Sequence, residues 1–224
     1  MKGTVVLVHG LWMSGAEMFL LRKRLRRCGY RVFQFRYRTV ARDISENARR
    51  LQQFLSRVPG GEVHFVAHSL GGLVVRQLFH DYPNQRPGRI VTLGSPHNGS
   101  GTARYLVRWR SWRRFLGASF SPLSGRVPPW KGQRDLGSIA GTMSIGIACF
   151  LKDLPKPNDG TVAACETRLS HMSDYVELHT SHSGLLFSQR VAQQVCEFLK
   201  TGHFKMLLNN SKRDGELPSD VTIK

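Results

Sequence analysis

The sequence predicts an α/β protein: a mostly parallel sheet of about six strands, helices on both faces, and a short inserted segment. Two observations carry this. Short apolar runs alternate with helical stripes, and strand–helix alternation implies βαβ units with right-handed crossovers. The first run, "TVVLV", is also solidly apolar, as a strand covered on both faces must be. The 224 residues suit one sizeable domain, read as 1–200, with a tail at 201–224 expected to be loosely ordered.

Thr4 to His9 reads as the first buried strand. Ser14 and Glu17 then form a capping box, and Met18, Leu21, Leu25 and Cys28 follow at helical spacing until Gly29 ends the helix. Tyr30 to Tyr37 is the second strand. Ile44, Ala48, Leu51, Leu55 and Val58 make the stripe of the next helix, closed by Pro59-Gly60-Gly61. "VHFVAH" is the third strand, and Leu70, Leu73, Val74, Leu78 and Phe79 mark a helix stopped near Pro83. Arg89 to Ser95 is the fourth strand. After Pro96 the alternation fails, and residues at about 98–135, rich in Gly, Ser, Pro, Arg and Trp, read as an insertion. Further strands are expected at Gly141 to Phe150 and Asp174 to Leu178, then a last helix from about Phe187 to Lys200. No internal repeat is present.

The composition, 41% hydrophobic and 21% charged, is that of a globular protein. The charge is less ordinary. There are 33 Lys and Arg against 15 Asp and Glu, a formal net charge of +18, which favours anionic partners. The cysteines, Cys28, Cys149, Cys165 and Cys196, are far apart, with no CxxC or Cys/His spacing. They are expected to be reduced and buried, and a zinc site is not expected. The opening apolar stretch is too short for a signal-peptide core and no run has the length of a membrane span, so a cytoplasmic setting, extending to the periphery of a membrane, is expected.

In an open parallel sheet, chemistry gathers at the carboxyl ends of strands. "HFVAHSLGGLVV" places Ser69 where the third strand turns into a helix. Small-x-Ser-x-Gly in that setting is the nucleophile elbow, a tight turn that exposes the serine hydroxyl at a helix N-terminus. Gly71 supplies the smallness required after the serine, and Ala67 supplies it before the serine at the cost of one methyl. A serine needs a base at neutral pH. In chain order an acid should come next, then a histidine. "KDLPKPNDGTV" offers Asp153 and Asp159, of which Asp159, in an Asp-Gly turn, is preferred. "LHTSHSGLL" offers His179 at the end of a strand and His182 just before a helix, and His182 fits better. Ser69 is thus expected to attack, His182 to shuttle the proton and Asp159 to orient the imidazole. The oxyanion donors are expected to be the N–H groups of Leu70, after the nucleophile, and Leu11, after His9-Gly10, each worth ~3 kcal/mol. Trp12 and Met13 are candidates for the substrate-binding wall. His68 and His97 are expected to pack or hydrogen-bond without a catalytic role, and His171 and His203 to lie on the surface.

"VVLVHGLW", "VHFVAHSLGGLVVR", "RIVTLGSPHNGS", "PNDGTV" and "SHSGLL" together resemble the α/β-hydrolase superfamily, in particular its bacterial lipase and esterase-like branch, which is similar to glycosylphosphatidylinositol inositol-deacylase-like proteins. The resemblance runs from about Val5 to Lys200. It implies hydrolysis of a carboxylic ester through an acyl-enzyme, without metal or organic cofactor, with Ser69, Asp159 and His182 as the triad and Leu11 and Leu70 as oxyanion donors. Acyl transfer and thioester cleavage use the same groups and stay open. So does a non-catalytic protein that binds anionic surfaces on a hydrolase scaffold.

No acidic residue occurs between Asp81 and Asp135, and within that gap "RYLVRWRSWRRF" interleaves arginines with Tyr105, Trp109, Trp112 and Phe115. One reading is a lid that meets an anionic membrane through Arg108, Trp109, Arg110, Trp112 and Arg113. The alternative is a solvated helix whose aromatics pack on the core. Nucleic acid is a weaker partner, since no binding motif accompanies the stacking side chains. The expected substrate is a small-molecule or lipid ester. Oligomeric state is not legible.

Overall fold

The computed structural model describes residues 2–108, 110–146 and 154–206. Its six strands form one sheet: β1 (Thr4–Val8), β2 (Arg31–Phe35), β3 (Val63–His68), β4 (Ile90–Leu93), β5 (Leu136–Gly141) and β6 (Asp174–Leu178), in the order β2-β1-β3-β4-β5-β6. Every pairing is parallel. The helices of the main alternation are α1 (Phe19–Arg27), α2 (Ile44–Leu55) and α3 (Leu70–Asp81). The segment after β4 carries α4 (Gly101–Leu106), α5 (Arg110–Leu116) and α6 (Phe120–Leu123). After β6 come α7 (Gly184–Phe187) and α8 (Gln189–Thr201).

Successive side chains of a strand point to opposite faces, so each solidly apolar strand feeds two cores. Val6 and Val8 of β1 join Leu51 of α2 and Leu73 of α3 on one face. Val5 and Leu7 join Leu21 and Leu25 of α1 and Val195 and Phe198 of α8 on the other. Strand order reverses at β1, whose neighbours are β2 and β3, and such a switch point opens a crevice beyond the carboxyl ends of the strands. Among the described residues no helix is long and apolar enough to cross a membrane.

Three local expectations change. The fifth strand is Leu136–Gly141, not Gly141 to Phe150; residues 147–150 lie outside the described residues. Its run "LGSIAG" holds only two large apolar residues, and the smallness of the others is structural. A Cβ on Gly137 would lie 2.6 Å from the Phe198 ring and 2.7 Å from that of Phe204, so the strand is thinned where those rings pack. Phe204 also ties the first residues after α8 to the body: its ring lies 4.8 Å from that of Phe198 and its N–H donates to Asp174.

The reduced-thiol expectation is overturned as well. Cys28 and Cys196 form a disulfide, because α1 and α8 pack side by side and bring together positions 168 apart in sequence. Spacing along the chain carries no trace of such a neighbourhood. Cys165 is free and exposed, and Cys149 lies outside the described residues. The capping box forms in part. Glu17 accepts from the Ser14 N–H, but the Ser14 hydroxyl accepts from Ala16 instead of Glu17, and the helix begins there with a 3-10 turn.

Candidate active site

Ser69 sits between β3 and α3 with φ 52 and ψ −122, in a region that a non-glycine residue occupies only under constraint. The constraint is visible. Its N–H donates to Leu93 O of β4, and α3 starts at the next residue. Gly71 lets that helix touch β1: a Cβ there would lie 2.7 Å from His9 O and closer still to Val8 O. On the strand side, Ala67 is fully buried and paired with Val8, and its methyl belongs to the core, so the elbow accepts alanine there. The steric demand falls on Gly71. Leu70 is the first residue of α3, so its N–H has no intrahelical acceptor.

Asp159 and His182 arrive on the loops after β5 and β6. His182 Nδ1 lies 2.6 Å from Asp159 Oδ2, and the His182 N–H donates to Asp159 O at 2.8 Å. The other carboxylate oxygen accepts from the N–H groups of Thr161 (2.9 Å) and Val162 (2.7 Å), which fixes the buried acid from behind. A carboxylate can only accept, so the Nδ1 atom carries the proton and Nε2 keeps its lone pair. His179 is exposed, and Asp153 lies outside the described residues.

Two glycines that the sequence reading passed over make this approach possible. A Cβ on Gly94 would lie 2.9 Å from Asp159 Oδ2 and 3.1 Å from His182 Nδ1, and its φ is +56. A Cβ on Gly141 would lie 2.7 Å from Asp159 Cβ. "TLGSP" and "IAGTM" hold them at strand ends, where glycine signals a close approach whose partner only the fold reveals.

Ser69 and His182 line one apolar cavity of about 210 Å³, together with Leu11, Trp12 and Met13 from the turn after β1. The inserted segment supplies the opposite wall with Leu106, Leu116 and Leu123. Its attachments are polar. The Trp12 indole N–H donates to Phe115 O at 3.1 Å, the Thr102 hydroxyl to Thr161 O at 2.6 Å, and the Gly101 N–H to the buried Glu166 carboxylate at 2.6 Å. Burial raises the Glu166 pKa. His9 braces the turn from below: its ring stacks on Tyr37 at 4.4 Å, its Nε2 accepts from the Tyr37 N–H, and its carbonyl accepts from the Tyr37 hydroxyl. His97 is buried and bonded to Thr92 and Arg76, away from the cavity wall, while His171 and His203 are exposed. Among the described residues no cluster of His, Cys, Asp and Glu suits a metal.

The parallel sheet, the strained serine at the β3–α3 corner and the acid and histidine on later loops define an α/β-hydrolase fold. The chain belongs to the family described as domain of unknown function DUF7379, whose model matches residues 2–122. No curated protein matches it by sequence. Among solved structures, mature Bacillus licheniformis lipase BlEst2 is 19% identical with a TM-score of 0.65, over 89% of this chain and 91% of that one. The metagenomic carboxyl esterase MGS0156 is 20% identical with a TM-score of 0.62, over 81% of this chain and 64% of that one. The RedJ thioesterase of the Streptomyces coelicolor prodiginine pathway is 13% identical with a TM-score of 0.57, over 90% and 85%. At these identities the likeness establishes the fold alone.

Proposed function

We propose that the protein is a serine hydrolase that cleaves carboxylic esters through an acyl-enzyme on Ser69. The observation that carries this is the 2.6 Å contact of His182 with Asp159 beside a cavity whose floor holds the strained Ser69. His182 Nε2 takes the hydroxyl proton as Ser69 attacks the carbonyl carbon, and returns it to the leaving alcohol. Asp159 holds the imidazole and balances its transient charge. The N–H groups of Leu70 and Leu11 receive the oxyanion, and Trp12 and Met13 bound the acyl chain. Water then repeats the sequence on the acyl-enzyme. Acyl transfer and thioester cleavage differ only in acceptor or leaving group, and product analysis separates them. The motif-level likeness to the lipase and esterase-like branch supports an ester.

The decisive test is labelling with a fluorophosphonate, which needs an activated serine and no knowledge of the substrate. The expected result is stoichiometric labelling, abolished by Ser69→Ala. A folded parent that takes no label overturns the reading and leaves a binding protein on a hydrolase scaffold.

The partner proposed is an anionic bilayer surface. Of the exposed large apolar side chains described, Trp12 lines the cavity, Phe115 accepts the Trp12 indole N–H through its carbonyl, and Phe19, Ile145 and Phe187 lie in the segments that follow β1, β5 and β6. Arg108, Arg113 and Arg114 are exposed beside them, each worth ~1 kcal/mol near such a surface. Trp112 is half-buried, its ring 6.4 Å from that of Trp12; Trp109 and the Arg110 side chain lie outside the described residues. Flotation with phosphatidylglycerol vesicles should exceed flotation with phosphatidylcholine vesicles and weaken in Phe115→Ser; equal or no flotation overturns it. The Cys28–Cys196 disulfide favours an oxidising compartment over the cytoplasmic setting expected from sequence.

A further inference from the structure

His68 takes no proton in the scheme above, yet it stands between the nucleophile, its neighbour in the chain, and the base. It is fully buried on the last residue of β3, beside the nucleophile. Its Nε2 lies 3.1 Å from the main-chain oxygen of His182, and its ring is 4.6 Å from the His182 ring. Its Nδ1 is buried without a hydrogen-bond partner among the described residues, under Gly10, where a Cβ would come within 2.9 Å of it.

We propose that His68 is a positioning residue: its neutral imidazole donates Nε2–H to the carbonyl oxygen of His182 and thereby sets the distance from base to nucleophile. The proposal rests on the reading of Ser69, His182 and Asp159 as a triad. The connectivity carries it. The His182 N–H and Nδ1 both bond to Asp159, so these bonds fix His182 relative to the acid's loop. Among the described residues, the bond from His68 is the one hydrogen bond that ties His182 to the strand bearing Ser69. Without it, packing alone and no hydrogen bond among the described residues would hold the acid–base unit to the elbow.

The chemistry of the two ring nitrogens agrees. A carbonyl oxygen can only accept, so the proton sits on Nε2 and Nδ1 is a bare lone pair. Protonating Nδ1 would bury a second donor with nothing to receive it. The ionisable groups facing the ring are the imidazoles of His182, from the loop after β6, and His9, from the end of β1; neither stabilises a cation there. Burial, more than these neighbours, depresses the His68 pKa. The residue stays neutral, as its buried and unpartnered Nδ1 requires.

Glutamine places an amide N–H₂ near the position of the imidazole Nε2, whereas asparagine reaches only to that of Nδ1. His68→Gln and His68→Asn therefore separate the donor from mere polarity and bulk. With a p-nitrophenyl ester that the parent hydrolyses, His68→Asn should lose about 30- to 100-fold in kcat with KM within about two-fold, while His68→Gln stays within about five-fold of the parent. The rate of fluorophosphonate labelling should follow kcat. The far-downfield proton resonance of the His182 Nδ1–H should persist in both variants, because the acid–base pair moves as a unit. Equal losses in the two variants, or an asparagine variant as active as the parent, overturn the proposal. If His68→Asn does not fold, His68→Gln still decides: a folded glutamine variant that loses 30-fold or more removes the donor's role. A parent that neither takes label nor hydrolyses esters would sink the triad reading, a different outcome from any of these.

Discussion

At the residue scale the site depends on side chains being absent as much as present. Gly94 faces Asp159 Oδ2 at 2.9 Å and His182 Nδ1 at 3.1 Å from where a Cβ would stand, so the acid–base contact occupies the space a methyl would need. Its φ of +56 adds a second penalty, ~1 kcal/mol for an L side chain. Gly94→Ala is expected to lower kcat by roughly 10- to 100-fold, because a displacement of an ångström at a reacting group costs about that much. Its melting temperature should also fall, by the left-handed backbone cost plus the overlap of the methyl with the buried Leu185 side chain, 2.8 Å from the Cβ position. Kinetics on a chromogenic ester and a thermal melt check this together; an alanine variant of parental kcat would mean that the pair has slack the geometry does not show. Ser69, Asp159 and His182 could be named from the sequence because each sits in a short pattern with its own turn chemistry. Gly94 could not be weighed there, and His68 could be read only as a packing or hydrogen-bonding residue. Their significance lies in what stands opposite them, and nothing near them in the chain says which residue that is.

At the scale of elements, the first four strands and three helices were legible because short apolar runs alternate there with stripes at helical spacing. The fifth strand was not. Leu136 and Ile139 are its only large apolar residues, and Gly137, Ser138 and Ala140 between them look like turn sequence. The composition of β5 is set by α8, whose Phe198 lies across it with Phe204 alongside, within 2.7 Å of a Cβ at Gly137. Strand propensity was exchanged for packing room, and sequence periodicity measures only the former. Gly137→Val, a change that raises strand propensity, is therefore expected to destabilise the fold by about 1–3 kcal/mol through overpacking. Chemical denaturation measures this directly. A stabilised variant would show that the rings can move aside. Phe198→Leu in the same background should recover part of the loss, since it removes one of the two rings that the valine meets. The inserted segment failed to reveal its helices for a related reason: α4, α5 and α6 are short, and polar attachments such as the Gly101 N–H on Glu166 hold the segment to the body.

At the scale of the molecule, burial of histidine makes the fold sensitive to acid. His9, His64, His68 and His97 are buried, and burial is the first cause that lowers the pKa of each. Glu62 opposes the effect at His64, whereas Arg76 reinforces it at His97, which falls to about 3. In the unfolded chain each takes up its proton near pH ~6.5. Between that value and the depressed one, the unfolded state binds more protons than the folded state, so stability rises with pH across the interval. The contribution is complete above ~6.5 and is lost as pH falls toward the folded value. Arg76 sharpens the case for His97: it is itself buried and held down to about 10 by burial, and its guanidinium donates to the carbonyl oxygens of His97 and Pro128, with no carboxylate partner among the described hydrogen bonds and ion pairs. An imidazolium beside it would be a second buried cation. The melting temperature is expected to drop continuously from about pH 6.5 to pH 4.5, by several degrees per pH unit for a domain in which each titrating site shifts stability by ~1.4 kcal/mol per unit. His97→Gln removes one of these sites. It should be less stable than the parent at pH 7.5, having lost fitted contacts to Thr92, and the gap should narrow as the pH is lowered, because the variant has one fewer proton to exclude. Melting curves of both proteins at half-unit steps of pH decide the matter: parallel curves would mean that His97 accepts its proton in the folded state at little cost, and that acid sensitivity has another source.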